Sequence, residues 1–178
     1  HKIIKDGLVA LFRLEHRGAV GSDPRTGDGA GVLIQLPHKF CAKVAKESGF
    51  DLPEPGHYGS GLVFLPQNKK ELEIVMGQLE DFVSSEGQKV LGWRDVPVEP
   101  DEIGETARSA MPVFKQIFIG RGDNVSGLMA FERKLFVIRK QIERFVRESS
   151  LEQKKMFYIP SLSARTFSYR GMLMSRQL

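Results

Sequence analysis

The sequence predicts an α+β domain, and three observations carry that prediction. Apolar residues recur at three- and four-residue spacing in two long stretches, one after Asn68 and one from Leu128 to Arg147, the period of a helix with one buried face. Short apolar runs bounded by glycine, proline or asparagine fall between and around them, as strands do. The 178 residues are 41% apolar and 27% charged, a balance that supports a packed core and excludes disordered, collagen-like and coiled-coil chains.

Taken in order, His1 to Arg17 places Ile4, Leu8, Leu11 and Phe12 on one stripe and predicts an amphipathic helix. Gly18, Gly21, Gly27, Gly29 and Gly31, with Asp23 and Pro24, make the next stretch a loop. Ala30 to Leu36 reads as a buried strand, and Pro37 suits the first turn of a short helix through Lys46, where its missing N–H costs nothing. Gly49 to Gly61 reads as a connection and Gly61 to Leu65 as a strand. Asn68 followed by Glu71 is a capping-box-like start for a helix carrying Leu72, Val75, Leu79, Phe82 and Val83, ended by Gly87. Lys89 to Val96 is a strand, Pro97 to Arg108 an acidic loop with a helical turn, and Val113 to Ile119 an alternating strand. Leu128 to Arg147 is a helix with Phe131, Leu135, Ile138, Ile142 and Val146 in register, and Met156 to Pro160 and Arg165 to Leu173 read as two closing strands.

From Gly61 to Pro160 the order is strand, helix, strand, strand, helix, strand, a ferredoxin-like βαβ-βαβ portion within a domain spanning residues 1–178. The flanking pieces, His1 to Leu36 and Ser161 to Leu173, are then expected to pair as the core layer. The chain opens at His1 without a methionine, which reads as a piece of a longer protein.

Charge is uneven. Residues 1–132 hold 15 Lys+Arg against 19 Asp+Glu, whereas residues 133–178 hold 11 against 3, so the net +4 comes from the closing segment. A basic helix is the footprint of phosphate binding. No nucleic-acid motif accompanies it, so no nucleic-acid partner is expected, and the face is read as solvated or docked on an acidic surface. No run approaches the roughly 18 apolar residues of a membrane span, so no membrane partner is expected and a cytoplasmic location is. A single cysteine excludes an internal disulfide and a cysteine-built zinc site. His1, His16, His38 and His57 show no ligand spacing, so no metal site is expected. Cys41, with His38 three positions before it, reads as a small buried hydrophobe and not as a nucleophile. The glycine block Gly27-Asp28-Gly29-Ala30-Gly31 matches neither a dinucleotide fingerprint nor a P-loop, and precedes a strand. Arg121-Gly122-Asp123 and Asn124-Val125-Ser126 are turn chemistry.

Two blocks carry a resemblance. Leu14-Glu15-His16-Arg17-Gly18-Ala19-Val20-Gly21-Ser22-Asp23 and Thr26-Gly27-Asp28-Gly29-Ala30-Gly31 resemble the start of glutamate synthase large subunits, in their class II glutamine amidotransferase domain. Ile34 to Phe40, Phe131 to Leu135 with Val137 to Lys140, and Phe157 to Thr166 match in the same order, and Tyr169-Arg170-Gly171-Met172 stands where the family has Tyr-Lys-Gly-Met.

The resemblance implies an N-terminal nucleophile hydrolase-type layered α/β/β/α fold and hydrolysis of glutamine to glutamate and ammonia. It places the nucleophilic cysteine, whose own α-amino group is the base, ahead of His1, and the oxyanion elements beyond Leu178. No catalytic residue is therefore expected within this chain, which by itself is expected to be inactive. It implies a substrate-pocket wall of Arg17, His16, Asp28, Gly27 and Gly29. Two roles stay open for Arg17: a guanidinium at the site, or an ion pair with Asp23 or Asp28 that orders the loop. FMN and an iron–sulfur cluster are implied for the parent protein and none for this chain. Implied partners are the parent's remaining domains and a small reductase subunit or ferredoxin. The reading from another class is a non-catalytic binding domain that docks through the basic helix 133–147.

Overall fold

In the computed structural model the chain is described over residues 2–14 and 29–171. The elements are α1 (Lys2–Arg13), β1 (Ala30–Gln35), α2 (His38–Glu47), β2 (Tyr58–Leu65), α3 (Lys69–Ser85), β3 (Lys89–Asp95), α4 (Glu105–Ser109), β4 (Val113–Gly120), α5 (Leu128–Glu148) and β5 (Thr166–Gly171). They gather into two units. One takes His1–Val32, Val98–Met111 and Tyr169–Leu178, and the other Leu33–Pro97 and Pro112–Ser168.

The larger unit is built on the antiparallel sheet β2-β4-β3. Tyr58 pairs with Gly120 and Leu65 with Val113, while Lys89 also meets Gly120 and Asp95 meets Lys115. Side chains alternate across the sheet, so the two faces carry different cores. Val63, Leu65, Ile117 and Ile119 point to α3 and α5, meeting Val75, Leu79 and Val83 from the first helix and Phe131, Leu135, Ile138, Ile142 and Val146 from the second. Tyr58 and Phe118 point the other way, to Cys41 and Val44 of α2. Both helical stripes are thus buried as the sequence period predicts. Chain from Tyr158 to Ser163 runs along the outer side of β2, bridging at Phe64↔Tyr158 and Ser60↔Ser163, which places it, β2, β4 and β3 in that spatial order. β3 is the opposite edge, and its pairing with β4 shifts register between Val90 and Gly92.

The expected capping box at α3 is half present. The Asn68 side chain accepts from Lys70 N at 3.0 Å and Glu71 N at 3.2 Å, but Glu71 does not reach back to Asn68. Three other boundaries differ from expectation. β2 begins at Tyr58, inside the stretch read as a connection, and where Met156 to Pro160 is expected as a strand there is the end of a 3₁₀ turn, Lys154–Met156, and then an isolated bridge at Tyr158. α1 ends at Arg13, followed by a turn at Leu14.

β1 and β5 form a separate two-stranded sheet, so the flanking pieces do pair. β1 is not buried: Val32, Leu33 and Ile34 are exposed, because its one hydrogen-bonded neighbour is β5 and neither of its faces is covered by described residues. α1 likewise leaves Ile4, Leu8 and Phe12 exposed. In the smaller unit, Asp101 and Arg108 pair at 3.1 Å across the acidic turn.

Candidate functional site

Of the residues expected to wall the pocket, Gly29 is described, while Arg17, His16, Asp28 and Gly27 lie outside the described residues. Gly29 has φ +121°, a backbone conformation that side-chain-bearing residues rarely adopt. It delivers the chain into β1, where a Cβ on Gly31 would collide with the Tyr169–Arg170 backbone of β5. Gly29 and Gly31 therefore serve a strained entry and a close strand approach.

The other end of the β1–β5 pair is fixed by hydrogen bonds. Leu36 N donates to Arg165 O at 2.9 Å. Ser168 N donates to Ser161 Oγ at 3.1 Å. Arg165 N and Thr166 N donate to Ser163 Oγ at 3.0 and 3.1 Å, closing the turn from which β5 departs. Glu132 of α5 accepts from Ser163 Oγ at 2.9 Å and from Ala164 N at 2.6 Å. Arg139 Nη1, two turns along the helix, donates to Pro160 O at 3.4 Å. The Phe131 to Lys140 block and the Phe157 to Thr166 block, separate in the sequence, are one assembly. Arg165 donates to Met129 Sδ at 3.8 Å.

Cys41 is fully buried beside Tyr58. Burial raises its thiol above the ordinary value, outweighing the Tyr58 hydrogen bond and the positive charge of Arg94, which both lower it. Burial also pushes the Tyr58 hydroxyl up, and the neighbouring Cys41 adds to it. His38 Nδ1 lies 3.1 Å from Tyr58 Oη, so the histidine serves the tyrosine. A protonated thiol without solvent access is no nucleophile. On the same side of the sheet Arg94 donates to Gln116 Oε1 at 3.1 Å, Gln116 Nε2 to Ser60 Oγ at 3.0 Å, and Ser60 Oγ to Ile117 O at 2.9 Å. This chain satisfies the buried Ser60 and Gln116 and holds α2, through Arg94 stacked on Phe40, against the sheet.

Elsewhere the chemistry is structural. Helix α5's charges pair locally: Lys134 with Glu86, Arg139 and Lys140 with Glu143, and Arg144 with Glu148. That pairing favours a solvated face over a phosphate-binding one. An open cleft of about 250 Å³ lies at the C-terminal end of α5, among Val146, Arg147, Lys154, Lys155 and Phe157. Its Lys154 ammonium is spent on the carbonyls of Arg147 and Ser149. Among the described residues no group of three or more His, Cys, Asp or Glu could hold a metal ion, and no helix is long and apolar enough to cross a membrane.

The sequence matches the family model of class-II glutamine amidotransferases over residues 1–178. It is 44% identical over 178 residues to the NADPH glutamate synthase large chain of Bacillus subtilis (strain 168), covering 100% of this chain and 11% of that one. Ferredoxin-dependent glutamate synthase 1 of Arabidopsis thaliana, chloroplastic/mitochondrial, is 38% identical over 180 residues, again 100% of this chain and 11% of the relative. The NADPH glutamate synthase large chain of Azospirillum brasilense is 38% identical over 177 residues, at 99% and 11%. The chain thus spans about a ninth of the length of these relatives.

Proposed function

The chain belongs to the class-II glutamine amidotransferases, and from that premise we propose that it is part of the glutaminase domain of a glutamate synthase large chain. The observation that carries this reading is identity of 44% sustained over the whole chain to a glutamate synthase. In the proposed reaction a cysteine at the mature N-terminus attacks the side-chain amide carbon of glutamine, its own α-amino group taking the thiol proton. The tetrahedral intermediate collapses with loss of ammonia, and water then releases glutamate from the thioester. Backbone donors at the developing oxyanion supply the main stabilisation. The ammonia then meets 2-oxoglutarate at a separate reductive site.

This chain's share is the pocket wall. Gly29 leads into β1, and Arg17, His16, Gly27 and Asp28, which the resemblance assigns to the same wall, precede it in the sequence. The nucleophile is placed ahead of His1, a proposal that the burial and raised thiol of Cys41 support by removing the alternative. FMN and an iron–sulfur cluster belong to the proposed parent. One cysteine cannot supply the four thiolates of a cluster, so any such cluster is held by residues outside this chain. A small reductase subunit or ferredoxin is the proposed electron source, and the cytoplasm the proposed location.

The test is glutamate release from glutamine by this chain and by a version extended at both ends. Activity in the extended form alone supports the reading together with the placement of the nucleophile. Activity of the chain itself that Cys41→Ala abolishes overturns that placement, and silence of a folded extended form overturns the glutaminase reading.

A further inference from the structure

We propose that the cleft at the C-terminal end of α5 is a docking notch for an acidic segment of the parent polypeptide, one from outside residues 1–178 that presents an apolar side chain with an aspartate or glutamate beside it. The inference rests on the reading of this chain as part of a longer glutamate synthase chain, and goes beyond it by assigning a contact between this piece and the rest.

The floor of the cleft is apolar. Val146 is 2% exposed and Phe157 is partly buried, both packed into the core between the sheet and its helices. The volume of about 250 Å³ lies below the roughly 300 Å³ at which pockets for whole small molecules begin, and suits a side chain. Displacing water from such a floor with an apolar group is favourable.

The rim is cationic, and its charge is not neutralised locally. Lys155 is exposed and pairs with no carboxylate among the described residues. Arg147 has Glu148 Oε1 at 3.8 Å, an oxygen that Arg144 Nε already holds at 3.0 Å. Lys154 donates to the carbonyls of Arg147 and Ser149, uncharged acceptors that leave its positive charge standing. Glu143, the acid of the lining, is shared between Lys140 at 2.6 Å and Arg139 at 3.5 Å. Three cations thus line the cleft against a carboxylate that two other cations balance. An incoming carboxylate gains charge-assisted hydrogen bonds here. A bare phosphate would meet the rim and leave the floor wet, whereas an acidic segment with an apolar side chain satisfies both.

Size selects where the segment comes from. Separate proteins that bind stably bury roughly 1,200 Å² or more, and a notch for a side chain supplies a small part of that. A tethered segment needs far less, because its effective concentration is on the order of millimolar. The chain spans 11% of the glutamate synthases it matches, so a parent of that length has ample chain to supply the segment.

The experiment uses the full-length protein. Zero-length carbodiimide coupling followed by peptide mass spectrometry is expected to join Lys155 or Lys154 to an Asp or Glu outside residues 1–178 of the same polypeptide. A mixture of heavy-isotope-labelled and unlabelled protein separates links within one chain from links between copies. Arg147→Glu, at a side chain that is 72% exposed, is expected to weaken the link. It is also expected to quicken acylation of Lys155 about threefold, the worth of a surface ion pair, with Lys43 of α2 unchanged as the control. A new carboxylate near an ammonium by itself slows acylation by favouring the charged form, so a faster rate reports lost cover. Absence of the link, a link to a second copy or to a separate subunit, or an unchanged or slower rate at Lys155 in the variant overturns the proposal. Full-length protein that forms the link but hydrolyses no glutamine overturns the glutaminase reading and supports the docking notch.

Discussion

Gln153 does for Asn68 what a local capping box would have asked of Glu71: its Oε1 accepts the Asn68 N–H at 2.7 Å, across 85 residues of chain. Glu71 completes the exchange by accepting Glu152 N at 2.8 Å and Gln153 N at 3.0 Å. The start of α3 and the loop after α5 therefore satisfy each other's backbone donors. Asn68→Ala removes two intrahelical acceptances and is expected to cost about 1 kcal/mol, as for other N-caps. Gln153→Ala should cost a similar amount, and urea midpoints of the single and double variants should reveal coupling between them of about 0.5 kcal/mol or more. Simple additivity would mean the two ends are independent.

Cys41 and Tyr58 set the alkaline limit of the larger unit. Both groups are held above their ordinary values of 9.0 and 10.0, so the unfolded chain loses these protons first as pH rises. The stability they contribute is complete below about pH 9 and falls above it. Urea midpoints measured at rising pH should decline from there, and less steeply in Cys41→Ala. A thiol reagent should modify the native protein on the order of a hundredfold more slowly than the urea-unfolded one, since reaction awaits opening of the α2 layer. Equal rates would mean the thiol is exposed.

Glu86 governs the acid side. Hydrogen bonds from Lys134 at 2.7 Å and Gln141 at 2.8 Å outweigh its burial and hold the carboxyl below its ordinary 4.5. A depressed carboxyl contributes stability above that value and loses it as pH falls through the folded one. Lys134 is partly exposed, so solvent screening keeps the contribution to about 0.5 kcal/mol. Glu86→Gln should lower the unfolding free energy from urea titration near neutral pH by that amount and flatten its decline below about pH 4.5. An unchanged acid limb would show that the pairing contributes nothing.

What could be read from the sequence follows from how local its cause is. α3 and α5 were legible because a helix declares its buried face every three or four residues, and Val75, Leu79 and Val83, or Phe131, Leu135 and Ile138, are all buried. The first half of β2 was not. Tyr58-Gly59-Ser60-Gly61 offers Tyr58 as its one strand-forming residue, and its glycines answer to the neighbours that crowd it: a Cβ on Gly61 would collide with Ser161 O, and one on Gly59 with Leu135. Small size here is set by contacts 76 to 100 residues away. The exposure of β1 is not legible for a related reason, since an apolar run such as Val32-Leu33-Ile34 states a demand for cover without stating what meets it. At the candidate site, Cys41 was legible as an inert residue. The bond between Glu132 and Ser163 was not, because carboxylate and hydroxyl lie 31 residues apart on elements whose meeting only the fold decides.

The register shift at Leu91 has a consequence for how molecules of this protein meet. Among the described residues β3 is the open margin of the sheet, and a straight margin offers a neighbouring molecule a row of unpaired amides and carbonyls on which to extend. The irregularity between Val90 and Gly92 breaks that row midway and increases the local twist. Lys89 and Asp95 put opposite charges at its two ends. An incoming strand would lose register after two or three residues, so growth of this sheet from one molecule into the next is arrested at the margin where it would otherwise begin.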